Sequence, residues 1–82
     1  PRGPFIVQVA SMTDPRNAAE LRRLILAKGL GPLEIEPGEG PQGPVHRVIL
    51  GPYATEEEAR AAADSVATLG DLNPRVREAP SP

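Results

Sequence analysis

The sequence predicts an α+β fold, a four-stranded antiparallel sheet with two helices packed on one of its faces. Two observations carry this. Short β-branched segments alternate with helical patterns in the order strand, helix, strand, and that order occurs twice in 82 residues. The second half also repeats the first, position by position, at an interval of 41 residues, as from Val7 to Val48.

The elements follow in order. Phe5 to Val9 (FIVQV) reads as a strand, and Ser11 to Pro15 supplies turn residues. Asp14 is placed to cap a helix with Pro15 at its first position, and Ala18, Leu21, Leu24, Ile25 and Lys28 recur at helical spacing before Gly29 and Gly31 stop it. Leu33 to Glu36 alternates as a second strand. The segment PGEGPQGP (Pro37 to Pro44) is expected as an exposed loop, because its prolines lack donors. His46 to Leu50 reads as the third strand and Gly51-Pro52 as a turn. Thr55 with Glu58 makes a capping-box pattern ahead of a second helix, Glu56 to Leu69, whose buried face is Ala59, Ala62, Ala63, Val66 and Leu69. Arg75-Val76-Arg77 is a last short strand.

The repeat binds these pieces into two equivalent units. Val7 to Met12 superposes on Val48 to Tyr53, Ala18 on Ala59, Ile25 on Val66 and Gly29 on Gly70, so strand, helix face and helix stop recur together. With right-handed crossovers, two split strand-helix-strand units give the ferredoxin-like βαββαβ arrangement also used by RNA-recognition domains, with strand order 4-1-3-2 and both helices on one face. The other face stays open. Residues 1–4 (PRGP) and 79–82 (APSP) read as a linker remnant and a tail around a domain at 5–78, as expected of a module cut from a longer protein.

Alternation along the strands decides what the open face carries. Phe5, Val7 and Val9 go against the helices, leaving Ile6, Gln8 and Ala10 outside. In the third strand Val48 and Leu50 go inside, so Val45, Arg47 and Ile49 look out beside Gln8, with Ser11 at the rim. Arg75 and Arg77 at one edge and Glu34 and Glu36 at the other grade the face from basic to acidic. Exposed isoleucines around a lone amide and a guanidinium differ from an ordinary solvated sheet face and point to a ligand.

Read together, VQVAS followed by DPRNAAELRRLILAKG and then HRVILGPYATEEEARAAADSV closely resembles the SPOR domain, from Phe5 to about Val76. The family's marks here are Gln8, Ala10-Ser11, Asn17-Ala18, Arg47-Val48 and Gly51-Pro52-Tyr53. The resemblance implies a non-catalytic module that binds septal peptidoglycan, in particular denuded glycan strands stripped of stem peptides by amidases, during bacterial cell division. It implies a monomer working in the periplasm or cell envelope at the division septum. The implied glycan-binding residues are Gln8, Ser11, Val45 and Arg47, with Arg75 as an edge. The open-face reading and the neighbouring turn add Ile6, Ala10, Met12, Asn17 and Ile49.

The residue chemistry suits such a strand. Removing a stem peptide turns a neutral amide into the free lactyl carboxylate of N-acetylmuramic acid, which the planar fork of Arg47 can pair. Gln8 offers a donor and an acceptor, the Ser11 to Asn17 turn is expected to present free amide donors at a helix start, and Ile6, Val45 and Ile49 would take sugar faces. Many family members carry aromatics where this chain has Met12 and Val45, which implies weaker sugar stacking.

Other functions fit less well. A net charge of -2 gives no global attraction to phosphate backbones, and RNA-recognition domains need stacking aromatics where this chain has Gln8, Arg47 and Ile49. There is no cysteine, and one histidine, His46, expected on the helix side or at the sheet end, cannot make a catalytic triad or a metal site. Glu56, Glu57 and Glu58 suit the dipole of a helix start, and GEGPQG is too proline-broken to cradle phosphate. No cofactor, no metal and no contact of this domain with a membrane are expected. A protein-docking or dimerising module, using Ile6, Val45 and Ile49, is the main alternative.

Overall fold

The computed structural model describes residues 4–70, 72 and 74–78. The elements are β1 (Phe5–Met12), α1 (Pro15–Ala27), β2 (Leu33–Gly40), β3 (Gly43–Tyr53), α2 (Glu56–Ala67) and β4 (Arg75–Glu78). All strand pairs are antiparallel and the sheet order is β2-β3-β1-β4, which is the expected 4-1-3-2 read from the other edge. Of the expected linker remnant only Pro4 is described, and the tail at 79–82 lies outside the described residues.

The helices start where their caps allow. Asp14 Oδ1 accepts from the Arg16 amide at 2.9 Å, and Pro15, which has no amide to satisfy, opens α1. Thr55 does the same for α2, its Oγ1 accepting from the Glu58 amide at 3.2 Å, while Glu56, Glu57 and Glu58 fill the first turn. At the far ends Lys28 Nζ donates to Thr68 Oγ1 at 2.7 Å, tying the end of α1 to the end of α2.

The sequence repeat is written into the core. Val7 and Val48, Ala18 and Ala59, Leu21 and Ala62, and Ile25 and Val66 are all buried, and among the described residues no polar side chain is buried with them. Small residues on α2 let that helix lie close to β1 and β3, while Ile25 and Leu21 of α1 fill the remaining depth. Phe5, Leu33, Ile35, Tyr53 and Val76 pack around this cluster. Gly29 and Gly70, which follow the two helices, both have positive φ, at 78° and 155°.

Three expectations need correction. The segment from Pro37 to Pro44 is a hairpin rather than a loop: Pro37 lies opposite His46, Gly38 opposite Val45 and Glu39 opposite Pro44, with a two-residue turn between Gly40 and Gly43. The prolines are tolerated because β2 is an edge strand, and because β3 at Pro44 extends beyond its ladder with β1, which ends at His46. β3 likewise continues through Gly51-Pro52 to Tyr53. A Cβ on the buried Gly51, whose φ is 113°, would stand 3.0 Å from the Phe5 carbonyl oxygen, so only glycine lets the strands approach there.

The third correction is in β1, which runs to Met12 rather than ending at Val9. Gln8 pairs with Ile49, but Ala10 pairs with the adjacent Val48, so Val9 is an extra residue and forms a bulge. The bulge resets the alternation. Ala10 and Met12 turn toward the helices and pack on the core, and Ser11, not Ala10, joins Gln8 on the open face.

Candidate functional site

The open face is built from cross-strand neighbours. Gln8 sits between Ile49 of β3 and Arg75 of β4, Ile6 lies opposite Arg77, and Ser11 lies opposite Arg47, which in turn lies opposite Glu36. Burying Val76 against Val7 turns Arg75 and Arg77 outward, and burying Leu33 and Ile35 turns Glu34 and Glu36 outward. The basic-to-acidic gradient from β4 to β2 is therefore present.

Two grooves run over this face. One, of about 710 Å³, reaches round the sheet edge where β1 continues past its ladder with β4, lined by Gln8, Ser11, Arg75 and Arg77 from the open face and by Val9 and Val76 from the core side. The other, of about 470 Å³, is lined by Ile6, Gln8, Glu34, Glu36, Arg47 and Ile49. Gln8 and Arg77 belong to both. They are joined by a hydrogen bond, Arg77 Nη1 donating to Gln8 Oε1 at 2.6 Å, and Gln8 Nε2 donates to Ser11 Oγ at 3.4 Å. A contact between residues three apart on one strand face exists only because the Val9 bulge brings Ser11 round.

Arg47 has a separate seat. Its guanidinium lies across the backbone of Gly38 on β2, where a Cβ would stand 2.8 Å from Nη2. Stretched over Gly38, Arg47 forms no ion pair with its cross-strand neighbour Glu36. Among the described residues Arg75 and Arg77 are also without a carboxylate partner, whereas Arg16, Arg23 and Arg60 on the helices pair with Asp14, Glu20 and Glu56. The hydrogen bond from the Arg23 guanidinium holds the Glu20 carboxyl below its ordinary value, against the opposing effect of desolvation.

Several residues singled out from the sequence sit differently from expectation. Ile49 is on the open face but 8% exposed, covered by its neighbours, and Ile6 is partly buried. The apolar floor is therefore largely roofed by side chains. Val45 packs beside Gly40 in the hairpin and lines neither groove. Asn17 is exposed on α1 and also lines neither groove. The helix-start amides are not free, since Arg16 donates to Asp14 Oδ1 and both Asn17 and Ala18 donate to the Asp14 carbonyl. Ala10 and Met12 edge the larger groove from the core side. Tyr53 packs on the core cluster, its hydroxyl donating to the Gly31 carbonyl at 3.5 Å. Burial, and next the charge of Glu58, push its pKa upward.

Sequence reasoning left out three contributors. Arg77 was expected to face outward, yet its bond to Gln8 spans 69 positions and has no local signal. Leu72 lies in the connection to β4, and Gly38 lay in the presumed loop. Among the described residues no cluster of side chains suited to a metal ion occurs, and no helix is long and apolar enough to cross a membrane.

A family model of the SPOR domain matches residues 1–78. The chain belongs to the SPOR family. A solved SPOR structure, that of RlpA from Pseudomonas aeruginosa, superposes with a TM-score of 0.72 at 29% identity, covering 87% of this chain and 96% of that one. Among curated proteins none matches the sequence. Membership makes this SPOR domain a peptidoglycan-binding module of the kind found in cell-wall and division-associated proteins.

Proposed function

We propose that the open face of this SPOR domain holds a denuded glycan strand, one whose muramic residues have lost their stem peptides, and that it thereby concentrates the protein carrying it at septal cell wall in the periplasm. It acts as a monomer and performs no chemistry on the strand. The observation that carries this reading is the charge arrangement: Arg47, Arg75 and Arg77 share one face without carboxylate partners among the described residues, while Arg16, Arg23 and Arg60, which are paired, lie on the helices. An arginine can pair a carboxylate through two parallel N–H bonds, and the stripped strand offers a carboxylate at every muramic residue. A strand that keeps its peptides has a neutral amide there, with added bulk, and loses on both counts.

The test is a pulldown with intact sacculi against amidase-stripped sacculi, comparing wild type with Gln8→Ala and Arg47→Ala after circular dichroism has established that each folds. Stronger binding to stripped sacculi, lost in the variants, is expected. Equal binding to both preparations would refute the carboxylate-reading face and favour a protein-docking surface.

A further inference from the structure

Arginine has only N–H groups to offer, so the amide atom that meets it must be the oxygen. Arg77 Nη1 stands 2.6 Å from Oε1 of Gln8, and this fixes the orientation of an amide that would otherwise be free to turn over. Nε2 is sent to the other side, where it donates to Ser11 Oγ at 3.4 Å. Ser11 thus receives at its oxygen and keeps its proton to give away. What the row shows to the larger groove is the second N–H of Gln8, the hydroxyl proton of Ser11, and the remaining N–H groups of Arg77 and Arg75, all of which line it. The acceptor of Gln8 is turned against the guanidinium. Glu34 and Glu36 are kept to the other groove.

We propose that Arg77 is a positioning residue that sets the polarity of the site: by locking the Gln8 amide it makes the row Arg77, Gln8, Ser11 a donor row, and this row reads a carboxylate of the ligand. The inference rests on the glycan reading and deepens it, placing one carboxylate of the strand over β1 and β4, apart from the one paired by Arg47. Gln8 contributes only donors there, contrary to its expected dual role. A ligand group that must itself donate finds only the second lone pairs of Ser11 Oγ and Gln8 Oε1, both oxygens being already engaged, and leaves the N–H groups of the row unpaired.

The test uses glycan strands from amidase-stripped peptidoglycan, and the same strands with their carboxylates converted to neutral methylamides, titrated against wild type, Arg77→Met, Arg77→Lys, Gln8→Ala and the Arg77→Met/Gln8→Ala double variant. Wild type is expected to prefer the free acid by about tenfold, as for a charge-assisted pair. Arg77→Met is expected to lose most of that preference, and Arg77→Lys, which still donates to Oε1, to retain it. Because Arg77 acts through Gln8 as well as donating in the row itself, the loss in the double variant should be clearly smaller than the sum of the two single losses. The Gln8 side-chain amide resonances should move in Arg77→Met and stay near wild type in Arg77→Lys. Fully additive losses in the double variant would overturn the positioning role, and so would unmoved Gln8 resonances. Equal affinity of wild type for both strands would overturn the donor row while leaving glycan binding intact, and no binding to stripped strands would overturn both readings.

Discussion

Gly38 separates binding from stability. An alanine Cβ at this position would stand 2.5 Å from Cζ and 2.8 Å from Nη2 of Arg47, where non-bonded carbon contacts settle near roughly 3.5–4.0 Å. The guanidinium must therefore move by about 1 Å or more, which is easy for the end of a flexible side chain. Gly38 is not among the glycines with positive φ, so alanine fits its backbone, and the smaller freedom of the unfolded chain adds about 0.4–1 kcal/mol of stability. The displaced Arg47 has Glu36 directly across the strand pair, and a surface ion pair there is worth at most about 1 kcal/mol. A charge-assisted bond to a ligand carboxylate is worth about 1.5–3 kcal/mol, so losing even half of it weakens binding by several-fold to tenfold. Urea titration of Gly38→Ala should give a midpoint equal to or above wild type, while titration with stripped glycan should approach the affinity of Arg47→Ala. Wild-type affinity in Gly38→Ala would refute the idea that Arg47 works from its seat on β2.

Other outcomes follow from the same structure. Ile25→Ala empties a fully buried site between α1 and the sheet and should cost about 3 kcal/mol in urea unfolding, a large share of what a domain this size has. Its repeat partner Val66→Ala should cost less, having fewer methyl groups to lose. Asp14→Ala and Thr55→Ala each remove a helix cap and should each cost about 1 kcal/mol, additively because the caps lie on separate helices. Asp14→Ala should leave glycan affinity unchanged. Tyr53 has its folded pKa raised by burial and by Glu58, so its contribution is complete below the unfolded value of about 10 and fades as pH climbs through the folded value. Thermal unfolding between neutral pH and strongly alkaline pH should show a smaller loss of stability in Tyr53→Phe than in wild type.

Period and repeat in the sequence determined the two strand-helix-strand units, their caps, the buried set Val7, Ala18, Ile25, Val48, Ala59 and Val66, and through them the sheet order. They did so because helix and strand periodicities are local and a repeated apolar pattern permits few packings. They also placed Gln8, Arg47 and Arg75 on the open face, since parity follows from which neighbour is buried. Only the tertiary structure decided the rest. The Val9 bulge, which exchanges Ala10 for Ser11, arises from register against a partner strand some forty positions away and leaves no local mark. The hairpin through Pro37 and Pro44 depends on these prolines meeting a partner on one side only, a property of edge position rather than of composition. The Arg77 bond to Gln8 and the seat of Arg47 on Gly38 join residues that share no spacing rule, and they exist because the sheet brings its two edges onto one surface.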